Sequence, residues 1–166
     1  MSDVVKKQWA AVYRNDEFIH IETHSGYRGG LPDPDGKRFL LSPDVADEEL
    51  GTAVLSALAN SRFLPPREHE AFFDMRGRVV PQYEVWVSEL MARYGYKTKR
   101  ALFKNMANCG IEVCEGQLKI SPTHHEKLEA WSREKNDGIE DVLISSTSSV
   151  VEVGAALRLA LSRCTG

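Results

Sequence analysis

Ile111-Glu112-Val113-Cys114-Glu115-Gly116-Gln117-Leu118-Lys119-Ile120 decides how this chain is built. Two short runs of alternating apolar and polar residues flank Glu115-Gly116, a pair whose glycine takes the positive φ that a tight hairpin turn demands. Folding the runs back on that turn sets Val113 opposite Leu118, Glu112 opposite Lys119 and Ile111 opposite Ile120. Apolar meets apolar and acid meets base, so every cross-strand pair favours the same register. Strands joined by so short a turn pair antiparallel. Pro122 ends the hairpin.

The same logic extends outward. Gln8 to Arg14 and Glu17 to Thr23 read as a second hairpin around Asn15-Asp16, with Arg14 facing Glu17, Tyr13 facing Phe18, Val12 facing Ile19 and His20 facing Ala11. Lys37 to Leu41 is a third strand and Glu140 to Ser145 a last one. A helix capped by Ser42 or Asp44 carries Leu50, Val54 and Leu58 on one stripe, and Gly51 weakens it by about 1 kcal/mol. Phe63-Leu64-Pro65-Pro66 ends it, and Glu68 to Asp74 reads as a short helix. Pro81 opens the best-patterned helix, with Tyr83, Trp86, Val87, Leu90, Met91 and Tyr94 on one side, and Gly95 stops it. Thr98 caps a helix that turns Leu102 and Met106 inward and runs to Gly110, and Thr123 to Lys135 reads as helical around Leu128 and Trp131. Ser149-Val150-Val151-Glu152 is a capping box that opens a final helix burying Val153, Leu157 and Leu161. The fold class is α+β: a single domain over residues 1–166, with a mainly antiparallel sheet and several packed helices.

Composition narrows the function. The 166 residues carry a net charge of −3, which disfavours a surface built to coat nucleic acid or an anionic membrane. No apolar run approaches the roughly 20 residues of a transmembrane helix, and Met1 to Lys7 lacks the apolar core of a signal peptide. Three cysteines, Cys109, Cys114 and Cys164, are too few for a disulfide framework and point to a reducing cytoplasm.

The segment with the most specified backbone is Thr23-His24-Ser25-Gly26-Tyr27-Arg28-Gly29-Gly30-Leu31-Pro32-Asp33-Pro34-Asp35-Gly36. Glycine and proline at this density fix a loop shape, and Tyr27 and Arg28 stand on it without bulky neighbours. From Asp33 to Glu49 six carboxylates (Asp33, Asp35, Asp44, Asp47, Glu48, Glu49) outweigh Lys37 and Arg38. Acids in a helix's first turn complement its dipole, which accounts for Asp47, Glu48 and Glu49 but not for Asp33 and Asp35. Glu134, Asp137, Glu140 and Asp141 form a second acidic group, diluted by Lys135.

Catalytic and metal signatures are weak. His20 and His24 flank the Gly-rich loop and, with Tyr27 and Arg28, compose the rival reading of an RNA- or nucleotide-processing enzyme; the bland reading makes them sheet-face and loop residues. Cys109, Cys114, His124 and His125 are ligand types that zinc accepts, at a spacing unlike its usual close pairs. Lys97, Lys99, Arg100 and Lys104 make a basic helix face, read here as solvated rather than as a nucleic-acid reader. No nucleophile-elbow, phosphate-loop or HExxH spacing occurs, so the chain is not expected to be an enzyme or to need a cofactor or metal.

The succession SGYRGG, then FLLSPDVADEELGTAVLSALANSRFL, then KTKRALFKNMANCGIEVCEGQLKISPTHHEKLEAW resembles the immunity proteins of bacterial contact-dependent growth inhibition systems, from Phe18 to Trp131. The resemblance implies a cytosolic protein that binds and neutralises the C-terminal toxin domain of a cognate delivered effector, commonly a nuclease and often one that cuts tRNA. Under that reading Tyr27 and Arg28 are anchors, residue types enriched among interface hot spots. Asp33, Asp35, Asp44, Asp47, Glu48 and Glu49 are the electrostatic surround. Nucleic acid and membrane are not expected as direct partners.

Overall fold

Four strands form in the N-terminal half, and three of them meet on the fourth, whose Ile19-His20-Ile21-Glu22 alternates apolar and polar residues. The structure, a computed structural model, describes residues 5–166. β1 (Gln8–Arg14) pairs antiparallel with β2 (Ile19–Gly26), and β2 carries on its other side both β3 (Gly30–Pro32) and β4 (Arg38–Leu41). The helices α1 (Asp47–Ala59), α2 (Val80–Tyr94) and α3 (Lys99–Phe103) follow. β5 (Ala107–Cys114) returns beside β1 and continues into β6 (Gln117–Pro122). A small hairpin of β7 (His124–Lys127) and β8 (Ala130–Ser132) stands apart, β9 (Val142–Ser145) closes the sheet against β6, and α4 (Val150–Ser162) ends the fold. The large sheet has seven strands, every pair antiparallel.

The β5–β6 hairpin has the expected register, with Val113, Glu112 and Ile111 opposite Leu118, Lys119 and Ile120. Its turn takes positive φ at both Glu115 (49°) and Gly116 (80°), the mirror-image turn whose twist suits paired strands. Even-numbered β1 residues, Ala10 and Val12, join Ile19, Ile21, Cys109, Ile111, Leu118 and Ile120 in a core under α1 and α4. Those helices cross at a pair of glycines. A Cβ on Gly51 would lie 1.7 Å from the Val150 carbonyl oxygen, and one on Gly154 would lie 2.0 Å from that of Asp47. The Ser149–Glu152 capping box is present as expected, and Val153, Leu157 and Leu161 are buried.

The opposite face is covered at one end by α2, whose stripe forms a second core with Phe18, Leu102, Phe103 and Met106. Four expectations are corrected. The β1–β2 turn spans Asn15 to Phe18 rather than two residues, so Arg14 faces Ile19 and His20 faces Tyr13. Asn15 causes this: its Oδ1 accepts from the Glu17 and Phe18 N–H groups while Nδ2 donates to the Tyr96 hydroxyl and the Leu102 carbonyl. Phe18 is thereby released from the strand to stack on Tyr94 at 5.0 Å. The helix after Thr98 ends at Phe103, because Asn105 takes φ 57° and β1 claims Ala107 onward as a strand. Thr123 to Lys135 is the β7–β8 hairpin, not a helix. Two apolar residues cannot bury a helical stripe, whereas the hairpin packs Trp131 edge-on to Tyr13 and donates its Nε1–H to the Met106 carbonyl. Finally, α1 starts with Ala46 in the capping position rather than Ser42 or Asp44.

Candidate functional site

The Gly-rich loop has a fixed shape, and the residue that fixes it is Asp33. Its carboxylate accepts from Arg62 Nε (2.8 Å) and Nη2 (2.9 Å), from the Ser25 hydroxyl (2.6 Å) and from the Asp35 N–H (2.9 Å). Burial alone raises the carboxyl's pKa, but these donors and the guanidinium charge outweigh it and hold the group below the usual aspartate range. With its side chain 0% exposed, Asp33 is not the displayed carboxylate expected from sequence but the interior post of the loop. Arg62 also makes backbone contacts with the loop, its N–H donating to the Ser25 hydroxyl and its carbonyl accepting from Gly26. A second guanidinium, Arg78, donates to the carbonyls of Phe72 and Pro32 and so ties β3 to the start of α2.

At the loop's tip Arg28 is exposed and lies 6.0 Å from the Tyr27 ring. Tyr27 is half-buried against Phe63, at 5.1 Å between ring centroids. Asp35, Asp44, Glu48 and Glu49 are exposed. Asp47 instead pairs with Arg158 at 2.7 Å, fastening α4 to the start of α1. Of the six carboxylates singled out from sequence, two are therefore committed to the fold and four are displayed. The other acidic group is largely neutralised: Arg133 reaches Asp137 and Asp141, each at 2.8 Å.

The displayed acids adjoin a strand edge. Arg38–Leu41 pairs with β2 on one side only among the described residues, and hollows of about 520 Å³ lie on both of its faces. One is lined by Phe39, Leu41, Glu48 and Glu49; the other by His20, Arg38, Leu40, Trp86, Glu89 and Arg93. In the second, His20 and Trp86 are 2% and 6% exposed, yet His20 Nδ1 and Trp86 Nε1 have no hydrogen-bond partner among the described residues. An edge strand presents backbone donors and acceptors. The exposed side chains of Arg38, Glu89 and Arg93 in the hollow beside it add side-chain donors and acceptors. Sequence reading missed Trp86 and Arg93 as possible contact residues because the apolar stripe of α2 placed Trp86 in the core.

The two histidines of the enzyme reading converge elsewhere. On β2 they alternate with Glu22, whose oxygens lie 2.7 Å from His20 Nε2 and 2.8 Å from His24 Nε2. Burial raises the Glu22 pKa, but the two imidazoles overcome it and hold the carboxyl far below its ordinary value. The period-two spacing of His20, Glu22 and His24 would have revealed this cluster. Tyr27 and Arg28 sit beyond it on the loop, so the four residues do not form one catalytic constellation. Cys109 is a mid-strand residue whose sulfur faces Cys164 rather than Cys114, and no group of three or more His, Cys, Asp or Glu suited to a metal occurs among the described residues. Lys97, Lys99, Arg100 and Lys104 are all exposed. No helix among the described residues is long and apolar enough to cross a membrane.

Comparison with known proteins agrees with this architecture. The CDI immunity protein (CdiI) family model matches residues 8–164. Immunity protein CdiI-YPIII of Yersinia pseudotuberculosis serotype O:3 is 48% identical, with all of both chains covered. A solved chain described as a CdiA-CT/CdiI toxin and immunity complex from Yersinia pseudotuberculosis superposes with a TM-score of 0.92 at 47% identity, over 98% of this chain and 100% of the other. A protein of unknown function from Neisseria meningitidis superposes with a TM-score of 0.86 at 42% identity, over 99% of each chain. The match spans sheet, helices and loop alike, and the chain belongs to the CDI immunity protein family.

Proposed function

We propose that this protein binds the C-terminal toxin domain of a cognate CdiA effector in the cytoplasm and neutralises it, that the toxin is a nuclease with tRNA among its candidate targets, and that neutralisation needs no cofactor and no turnover by the immunity protein. The observation that carries the reading is full-length similarity to a chain of a toxin–immunity complex. Contact is assigned to the border of the sheet formed by β3 and β4. Tyr27 and Arg28 anchor one end, while Asp35, Asp44, Glu48 and Glu49 supply negative charge suited to the basic groove of a nuclease. The unpaired side of β4 and the hollow beneath Trp86 offer backbone and side-chain hydrogen bonds between them. Nucleic acid and membrane have no part in the contact.

Binding kinetics against the cognate toxin domain at several salt concentrations test this. Long-range attraction is screened beyond about 10 Å at 0.1 M ionic strength, so association should slow as salt rises while dissociation changes less. Combined Asp35→Asn, Glu48→Gln and Glu49→Gln substitutions should lower the association rate and flatten its salt dependence. Tyr27→Ala should speed dissociation, at a cost of about 2 kcal/mol for a central anchor. If neither set of substitutions changes either rate, the toxin is held elsewhere. A toxin domain that leaves DNA and RNA intact overturns the nuclease assignment, and one that acts at full rate in the presence of this chain overturns the inhibitory reading itself.

A further inference from the structure

Two thiols far apart in sequence meet where the last helix ends. Cys109 lies in β5, fully buried in the core under α1 and α4. Cys164, just past α4, is half-buried against the same core, and its sulfur stands 3.6 Å from that of Cys109 across 55 residues of chain. The tail carrying Cys164 is held in place. The Cys164 N–H donates to the Leu161 carbonyl at 3.2 Å, the Thr165 N–H donates to the Thr123 carbonyl at 3.2 Å, and the His125 N–H donates to the Thr165 carbonyl at 2.8 Å. Cys114, by contrast, sits opposite Gln117 at the far end of β5.

We infer that Cys109 and Cys164 are a reversible disulfide site, closed by a peroxide and fastening the C-terminal end of α4 to the middle of the sheet. A disulfide needs its sulfurs at about 2.05 Å, so the pair has only about 1.5 Å to close. The division of labour follows from exposure and charge. The hydrogen bond with Cys109, outweighing burial, draws the pKa of the half-exposed Cys164 thiol down, while that bond and burial push the Cys109 thiol up. The Cys164 thiolate attacks a peroxide oxygen, the O–O bond breaks, and sulfenic acid forms with release of hydroxide, which a solvent proton converts to water. The Cys109 sulfur then attacks the Cys164 sulfur, the S–O bond breaks, and the departing hydroxide leaves as water with the Cys109 proton. Two thiols give up two electrons and one peroxide becomes two waters.

The test treats the full chain with hydrogen peroxide, blocks remaining thiols with iodoacetamide and maps the proteolytic peptides. A Cys109–Cys164 cross-linked pair lighter by two hydrogens is expected. A Tm rise on the order of 10 °C that dithiothreitol reverses should accompany it, as the closure of so long a loop implies. Cys114→Ser should leave both results unchanged, and Cys164→Ser should abolish both. The inference fails if wild-type Cys164 ends as sulfinic acid or alkylated thiol without a linked peptide. It also fails if the link joins Cys114 or a second chain, or if the linked protein melts at the unlinked temperature.

Discussion

Gly51→Ala should destabilise the protein, although the same exchange in an exposed helix would stabilise it. Alanine is favoured over glycine by about 1 kcal/mol in a helix interior, because the glycine backbone loses more freedom on folding. Gly51 is not exposed, however. Its missing Cβ is where the Val150 carbonyl oxygen lies, 1.7 Å from the added atom, with the carbonyl carbon at 2.6 Å. Both neighbours are backbone at the capped start of α4, so no rotamer change relieves the clash. Relief needs α1 and α4 to separate by more than about 1 Å, loosening a close-packed contact that includes Leu50, Val54, Leu157 and Leu161. Overpacking of this kind costs about 3 kcal/mol, at the upper end of its usual range, which leaves a net loss of about 2 kcal/mol after the gain in propensity. For a chain of this length, that lowers Tm by roughly 4–8 °C. Thermal unfolding followed by circular dichroism, with urea unfolding for the free energy, measures it. Gly110→Ala is the control, since a Cβ there meets nothing within 4 Å. A Gly51→Ala protein that melts at or above the wild-type temperature would refute the close-crossing argument.

Asp33→Asn keeps the shape of the loop's post but removes the charge facing Arg62. Stability should fall by about 2–3 kcal/mol while the salt dependence of toxin association stays as in the wild type; an unchanged Tm with slower association would make Asp33 a steering residue after all. Glu22 gives a pH signature. Its folded pKa is depressed, so its stabilisation is present above the unfolded glutamate value of about 4.3 and is lost as pH falls through the folded value below it. Urea unfolding between neutral and acid pH should therefore show a shallower acid loss for Glu22→Gln than for wild type, and parallel losses would contradict the bridging role of Glu22.

What could be read from sequence was what neighbours in the chain decide. The β5–β6 register follows from a turn and three facing pairs within ten residues, and the capping box of α4 lies within four. The stripe of α2 and its stop at Gly95, which takes φ 73°, are also local. The misread elements are those settled by distant partners. Asn15 lengthens its turn because Tyr96 and Leu102 accept its amide from 81 and 87 residues away. Asp33 is withdrawn from the surface by Arg62, 29 residues on, and no spacing rule signals that pairing. Trp131 gives β7–β8 its place by packing on Tyr13, a contact invisible to any helical window. Charge was the least legible property of the candidate site, since composition counts carboxylates without saying which are already used.

That distinction bears on how such a protein can change partner without losing its fold. Asp33 holds the loop through Arg62, Glu22 joins two histidines under α2, and Asp47 fastens α4 through Arg158. Removing any of them leaves hydrogen-bonding partners unmet, which is costly. Asp44, Glu48 and Glu49 have side chains in solvent; replacing one such residue shifts stability by only about half a kcal/mol. Such replacements still alter the field that an approaching partner meets. The core under α1 and α4 lies on the opposite sheet face from α2 and the His20–Trp86 hollow, so substitutions that tune that hollow leave the larger core intact. A relative 47% identical superposes with a TM-score of 0.92, so about half the positions differ while sheet and helices stay in place. In this architecture the acids that hold the fold are separate from the acids that face outward, so under the contact proposed above recognition would vary through the second set without cost to the fold.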